Sequence, residues 1–306
     1  MIDIFDYIKG KIEEKDLLKN EFDNEIKEIV QRILLAGLST TDFFENNVFH
    51  GGTALRIVHN INRYSKDLDF NMLKKNNNFK WNDYTQQLDE YTLKNLGFKF
   101  VYDDSSNEDY NLKRMTVKDN SVIDIIHGKN LVPIKWTKKK GGQRKNPEIT
   151  VETGFYQNTF GIERKEVNFP EKHCINVFDI NSLFSGKLSA CLTRSGKIKE
   201  TEERVRKDEA RDWYDLIWYI DRGIEPNYIF LFDKLNNEEK YKGKIELKDI
   251  NTNWIKNELF LMVEDLDCKM LNDDIVNFTK INDRIVLSKD ILLNFINTMG
   301  KDRCKN

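Results

Sequence analysis

Two glycines and two aspartates are the residues of this chain whose types and spacing can do chemistry. Gly51-Gly52 follow the apolar pair Val48 and Phe49, and Asp67-Leu68-Asp69-Phe70 begins fifteen residues after the second glycine. Lacking a Cβ, the glycines let the chain turn sharply. Thr53 is a good N-cap, with Ala54, Leu55, Ile57 and Val58 at helical spacing behind it. A strand, a glycine turn and a helix N-terminus together bind anions, because free backbone N–H groups and the helix dipole converge there. The run from Asp67 to Phe70 reads as a strand, whose period of two puts both carboxylates on one face and Leu68 and Phe70 on the other. Two carboxylates that close repel each other unless a cation lies between them. The hard cation suited to carboxylate and phosphate oxygens is magnesium.

Other elements carry further candidates. Asp179 can cap a helix whose apolar stripe is Ile180, Leu183, Phe184, Leu188, Cys191 and Leu192, and Lys187 falls in the middle of that stripe. A lysine on a buried face is costly without an anionic partner. It either snorkels out through a thin part of the core or meets a phosphate in a cleft. On both readings Lys187→Met leaves stability level or slightly higher. A second helix, over about residues 208–221 and closed by Gly223, buries Trp213, Leu216, Ile217 and Ile220. Asp212 and Asp215, three apart, fall on its opposite, solvated side near Arg211 and Tyr219. The β-branched run Ser121 to His127 reads as a strand with Asp124 at its centre, where a carboxylate needs a partner or a metal.

The rest of the chain sets the frame. At 306 residues it can hold one large domain or two modest ones, and 33% charged with 39% hydrophobic residues describes a globular protein. A net charge of −2 gives no bulk pull toward nucleic acid, so an RNA site must be a local patch. No apolar run reaches transmembrane length, and the acidic N-terminus is unlike a signal peptide, so a cytoplasmic protein with no membrane partner is expected. Four cysteines without a CxxC pair argue against zinc and disulfides. Residues 1–46 look helical, with Ile26, Ile29, Val30, Ile33 and Leu34 on the apolar face and charged residues filling the other. Further strands are expected at Phe98 to Tyr102, Leu112 to Val117, Glu148 to Glu152 and Ile175 to Phe178, with a helix from Trp81 to Leu96 closed by Gly97. Beyond Pro226 helical stretches alternate with polar turns.

A phosphate-cradling turn followed by a paired-aspartate strand resembles the active-site layout of nucleotidyltransferases related to DNA polymerase beta. The wording GGTALR followed by NRYSKDLDF, with Arg56, Arg63 and Ser65 in it, resembles the narrower AbiEii family of nucleotidyltransferase toxins of toxin–antitoxin and abortive-infection systems. Lys187, Arg194 and the run Arg211-Asp212-Trp213-Tyr214-Asp215-Leu216 are similar to that family's downstream motifs. The resemblance implies an α/β fold: a mixed-sheet nucleotidyltransferase lobe over residues 1–178, then a mostly helical lobe over residues 179–306 that completes the active cleft. It implies that Asp67 and Asp69 hold Mg2+, or Mn2+ in its place, and that Asp124 completes the metal site or acts as a base. Gly51, Gly52, Thr53, Arg56, Ser65 and Lys187 would bind the nucleotide, Lys187 and Asp212 would share catalysis with the aspartates, and Asp215, Arg194 and Arg211 would support them. The implied substrate is an NTP (GTP, CTP or another), and the implied acceptor is RNA, the 3′ end of tRNA being the favoured one. The implied outcome is growth arrest or phage defence, and the implied partner a winged-helix antitoxin. The front motif also fits a nucleotidylyltransferase of small molecules or proteins, and a non-catalytic GTP-binding module.

The run from Lys135 to Lys145 holds six basic residues and no acid. It is either a solvated loop or a contact for phosphate groups. If it contacts RNA, replacing Lys138, Lys139, Lys140, Arg144 and Lys145 with Ser weakens RNA binding and flattens its salt dependence while Mg·NTP binding changes little. Filter binding over a salt series reads the slope, and an unchanged slope returns the run to solvent.

Overall fold

A computed structural model describes residues 19–104, 112–118, 147–156, 159–194 and 209–301, together with Asp6 and Val122. Of the expected strand Ser121 to His127 only Val122, buried and helical, is described; Asp124, the basic run at residues 135–145 and the charged stretch after Arg194 lie outside the described residues. The chain divides into two compact units. The first takes residues 1–60, 64–156 and 163–177, and the second takes residues 61–63, 157–162 and 178–306. The main division falls at residue 178, and the short segments 61–63 and 157–162 upstream of it count with the second unit.

The first unit is built on a mixed sheet. Helix α1 (Lys19–Ser39) and a single turn α2 (Phe43–Asn46) lead into β1 (Asn47–His50), helix α3 (Gly51–His59) and β2 (Leu68–Met72). Helix α4 (Asn82–Leu96) follows, then β3 (Val101–Asp104), β4 (Leu112–Lys118), β5 (Glu148–Gly154), β6 (Ile162–Val167) and β7 (His173–Phe178). The seven strands lie in the order β3-β4-β5-β2-β1-β7-β6, which puts β2 at the centre. It runs antiparallel to β1 and parallel to β5. Strand β6, Ile162–Val167, was not expected from its charged sequence. It lies at the edge of the sheet, where alternate residues face solvent and charges are tolerated.

Helix α1 buries the expected stripe of Ile26, Ile29, Val30, Ile33 and Leu34. Its charged face is not solvated, however: Glu21, Glu25 and Glu28 are buried as well. Glu25 and Glu28 have partners, given below, that explain why. Gly37 lets α1 approach α4 closely, since a Cβ there would press on Leu88 and Tyr91. Gly97 ends α4 at φ 77° with its N–H on the Leu93 carbonyl, as a left-handed terminating residue does.

The described part of the second unit is helical: α5 (Ile180–Arg194), α6 (Ala210–Asp221), α7 (Tyr228–Asn236), α8 (Thr252–Glu264), α9 (Cys268–Ile275) and α10 (Lys289–Thr298). Side chains of Asp179, Asn227, Asn251, Asp267 and Ser288 accept backbone N–H groups at five of these N-termini. Among the described residues no helix is long and apolar enough to cross a membrane.

In the first unit, Trp81 is fully buried, stacks on Phe43 with centroids 5.6 Å apart and donates from Nε1 to the Lys113 carbonyl at 3.1 Å. Trp81→Ala removes both the packing and a part-buried hydrogen bond, and is expected to cost about 3–5 kcal/mol in urea unfolding. A loss below about 1 kcal/mol would show that this aromatic cluster does not hold the sheet to α4.

Candidate nucleotide and metal site

In the first unit the four-pair register of β1 with β2 places His50 opposite Asp69 and Phe49 opposite Phe70. Leu68 and Phe70 are buried, while Asp67 and Asp69 are half-exposed, so the two acids alternate with core residues. The ladder begins at Leu68, one residue later than expected, and Asp67 lies immediately before it.

Helix α3 also starts earlier than expected. It begins at Gly51, with His50 as an extended N-cap that supplies no side-chain hydrogen bond. Thr53 is therefore inside the first turn, and its hydroxyl donates to the Asp67 carbonyl rather than capping the helix. This bond ties the helix end to the start of the acid pair. Gly51 adopts φ 79°, and a Cβ there would run into the Asp69 carboxylate. Both facts demand glycine. A helix N-terminus without a side-chain cap thus lies against a carboxylate that needs a cation to face a phosphate.

Arg56 and Ser65, both expected to bind nucleotide, each make a contact to α1. Arg56 Nε donates to Glu28 Oε2 at 2.8 Å, and its guanidinium lies over the Tyr64 ring at 5.2 Å. Ser65 is buried, and its carbonyl accepts from Gln31 Nε2 at 3.2 Å.

Two neighbours of the acid pair were not singled out in the sequence. His50 is one, marked only by its place before the glycines. Glu152 is the other, paired in register with Asp69 on β5 and so on the same face of the sheet. Its signal was an acid between buried residues of a strand, like that of Asp69. Glu152 Oε1 accepts from Arg114 Nε at 2.5 Å. Among the described residues no group of three or more His, Cys, Asp or Glu side chains is gathered as a metal site. Asp67 and Asp69 remain a hard-oxygen pair of the kind magnesium takes when phosphates and water complete its shell.

The second unit holds Lys187, Arg194, Arg211, Asp212 and Asp215, and they form a chain of ion pairs. Lys187 Nζ lies 2.7 Å from Asp212 Oδ1 and 2.9 Å from Asp215 Oδ2. Arg194 Nη1 donates to Asp212 Oδ2 at 2.8 Å. Arg63 grips Asp215 with two bonds of 2.5 Å, both residues being essentially inaccessible. Arg211 stands at the rim, paired with Glu209 at 3.0 Å and lying over the Phe278 ring at 4.6 Å. Helix α6 is therefore buried on both sides, and Asp212 and Asp215 are not the solvated pair its sequence suggests. Burial pushes the Asp212 carboxyl up, but Lys187 and Arg194 outweigh it and hold the group below its ordinary value. Burial likewise pulls Lys187 down, and Asp212 and Asp215 raise it above the usual lysine value.

These contacts revise the expectation for Lys187→Met. The change removes the strongest cation beside Asp212 and one of the two that face Asp215, so stability falls, by about 1–3 kcal/mol. Asp212, with its depressed folded value, contributes stability above its unfolded value that is lost as pH falls through the folded one. In the variant that acid loss moves to higher pH. Thermal melts over an acid series measure both, and an unchanged melting temperature with an unchanged acid limb would refute the coupling.

The fold comparison finds JHP933 from Helicobacter pylori at 15% identity and TM-score 0.46, covering 90% of this chain and 89% of that one. It also finds an antigenic nucleotidyltransferase-like protein from Paracoccidioides brasiliensis at 15% identity and TM-score 0.38, covering 84% of this chain and 95% of that one. No curated protein sequence matches. A family described as nucleotidyl transferase AbiEii toxin, type IV toxin–antitoxin system, matches residues 32–284, the span that contains both sets of residues above. The chain belongs to that AbiEii nucleotidyltransferase toxin family.

Proposed function

We propose that this protein is a metal-dependent nucleotidyltransferase toxin that moves NMP from an NTP to an RNA acceptor. The observation that carries the reading is the close approach of Gly51 to Asp69, which puts a helix N-terminus and an acid pair in one place. Gly51, Gly52 and Thr53 offer backbone N–H groups to the triphosphate. Asp67 and Asp69 would hold Mg2+ or Mn2+, which neutralises phosphate charge when bound. The acceptor hydroxyl gives its proton to a base, proposed to be Asp124, its oxygen forms the new ester bond to the α-phosphorus, and the bond from that phosphorus to the bridging oxygen breaks to release pyrophosphate. Lys187 is kept charged by Asp212 and Asp215, as a phosphate-binding lysine must be. Asp124 keeps its proposed place as a third acid.

The favoured acceptor is the 3′ end of tRNA, whose modification would stop translation and growth and so serve phage defence. The reaction would take place in the cytoplasm, where NTPs and tRNA occur, and family membership brings with it an antitoxin partner, proposed to be of winged-helix type.

Incubation with each α-labelled NTP, Mg2+ and total RNA is expected to label RNA. Asp67→Asn and Asp69→Asn are each expected to abolish the label while circular dichroism stays that of the wild type. Label in a small molecule or protein would name a different transferase, and reversible retention without transfer a binding module. Near-normal transfer by either variant at low Mg2+ would remove the acid pair from the mechanism.

A further inference from the structure

Helix α1 carries Glu25, Glu28 and Gln31 at successive steps of three, which places them along one face. All are buried, at 3%, 7% and 1% exposure, where a carboxylate is costly unless it is answered. Glu25 and Gln31 reach the segment that links the glycine helix to the aspartates, and Glu28 reaches the glycine helix itself. Glu25 Oε1 accepts from the Tyr64 hydroxyl at 2.6 Å. Glu28 Oε2 accepts from Arg56 Nε at 2.8 Å, while its other oxygen takes Arg32 at 2.8 Å. Gln31 Nε2 donates to the Ser65 carbonyl at 3.2 Å. Burial raises the Glu28 carboxyl, yet Arg56 and Arg32 prevail and hold it below its ordinary value.

The contacted residues bracket the site. Arg56 lies on α3, one turn beyond Gly51 and Gly52, and Tyr64-Ser65 stand two residues before Asp67. The three α1 residues precede residue 32, where the family match begins.

We propose that Glu25 and Glu28 are positioning residues for the nucleotide and metal site. They hold α3 and the Tyr64-Ser65 segment on one rigid helix, so that the Gly51 turn and the Asp67/Asp69 pair keep their register. Arg56 is then the inward half of this clamp rather than a phosphate ligand. The inference rests on the nucleotide-binding reading above for its consequence, but the clamp itself can be read without nucleotide.

The test uses the full chain with Glu28→Gln, Arg56→Met, their double variant and Glu28→Asp. Tyr64→Phe, which removes only the hydroxyl given to Glu25, serves as a milder variant should Glu28→Gln fail to fold. Amide exchange over residues 60–67 and Mg2+-dependent binding of ATP, GTP, CTP and UTP by calorimetry are measured with melting temperature. Glu28→Gln, or Tyr64→Phe in its place, is expected to speed exchange at residues 60–67 while the apolar face of α1 stays protected. Glu28→Gln and Arg56→Met should each weaken binding of the preferred nucleotide by about tenfold, with the double variant no weaker than the worse single one, as coupled partners behave. Glu28→Asp should recover part of the loss. Unchanged exchange overturns the clamp. So does weakened binding in Arg56→Met alone, which would put Arg56 on the phosphates. If the wild type binds none of the four nucleotides, the proposed function fails, and the exchange rates alone support or overturn the clamp.

Discussion

The backbone of Gly51 and the carboxylate of Asp69 occupy space so close that no side chain fits between them. Everything proposed for the first unit depends on that approach. It follows from the antiparallel register of β1 with β2, in which His50 faces Asp69 and the buried rings of Phe49 and Phe70 meet at 5.3 Å. A slip of one residue would turn both acids into the core and their apolar neighbours out, so burial of Leu68 and Phe70 fixes the register and with it the acids. The central place of β2 in the sheet leaves it no free edge along which to slide.

Buried charge is the second organising feature, and each unit handles it separately. In the first, an acidic face of α1 is answered by Arg56, Arg32 and Tyr64. In the second, Asp212 and Asp215 are answered by Lys187, Arg194 and Arg63. Such networks are weak sources of net stability, because desolvation offsets most of the attraction. Their strength lies in intolerance: a missing member strands a charge, so the arrangement is either complete or costly. That property suits the positioning roles proposed for these groups.

Elements whose determinants are local were legible in the sequence. The apolar stripe of α1, the helix closed by Gly97, the central strands and the glycine turn all follow from spacing within a few residues. Edge strand β6 was not, because four consecutive charges on a solvated edge leave no apolar period to betray it. The start of α3 at Gly51 rather than Thr53 was also missed. The N-cap preference of threonine is a local rule, and the Asp67 carbonyl takes its hydroxyl from fourteen residues away.

By itself the sequence determined the chemistry on offer: two glycines before a helix, two aspartates alternating with core residues, and a lysine in an apolar stripe that had either to find an anion or to reach water. Only the tertiary structure decided which charges answer which. Arg56 meets Glu28 across 28 residues, Tyr64 meets Glu25 across 39, and Arg63 meets Asp215 across 152. No periodicity encodes such pairs. A charged side chain reads as solvated until folding removes the water around it, and its partner is then whichever opposite charge the packed backbone has brought within reach.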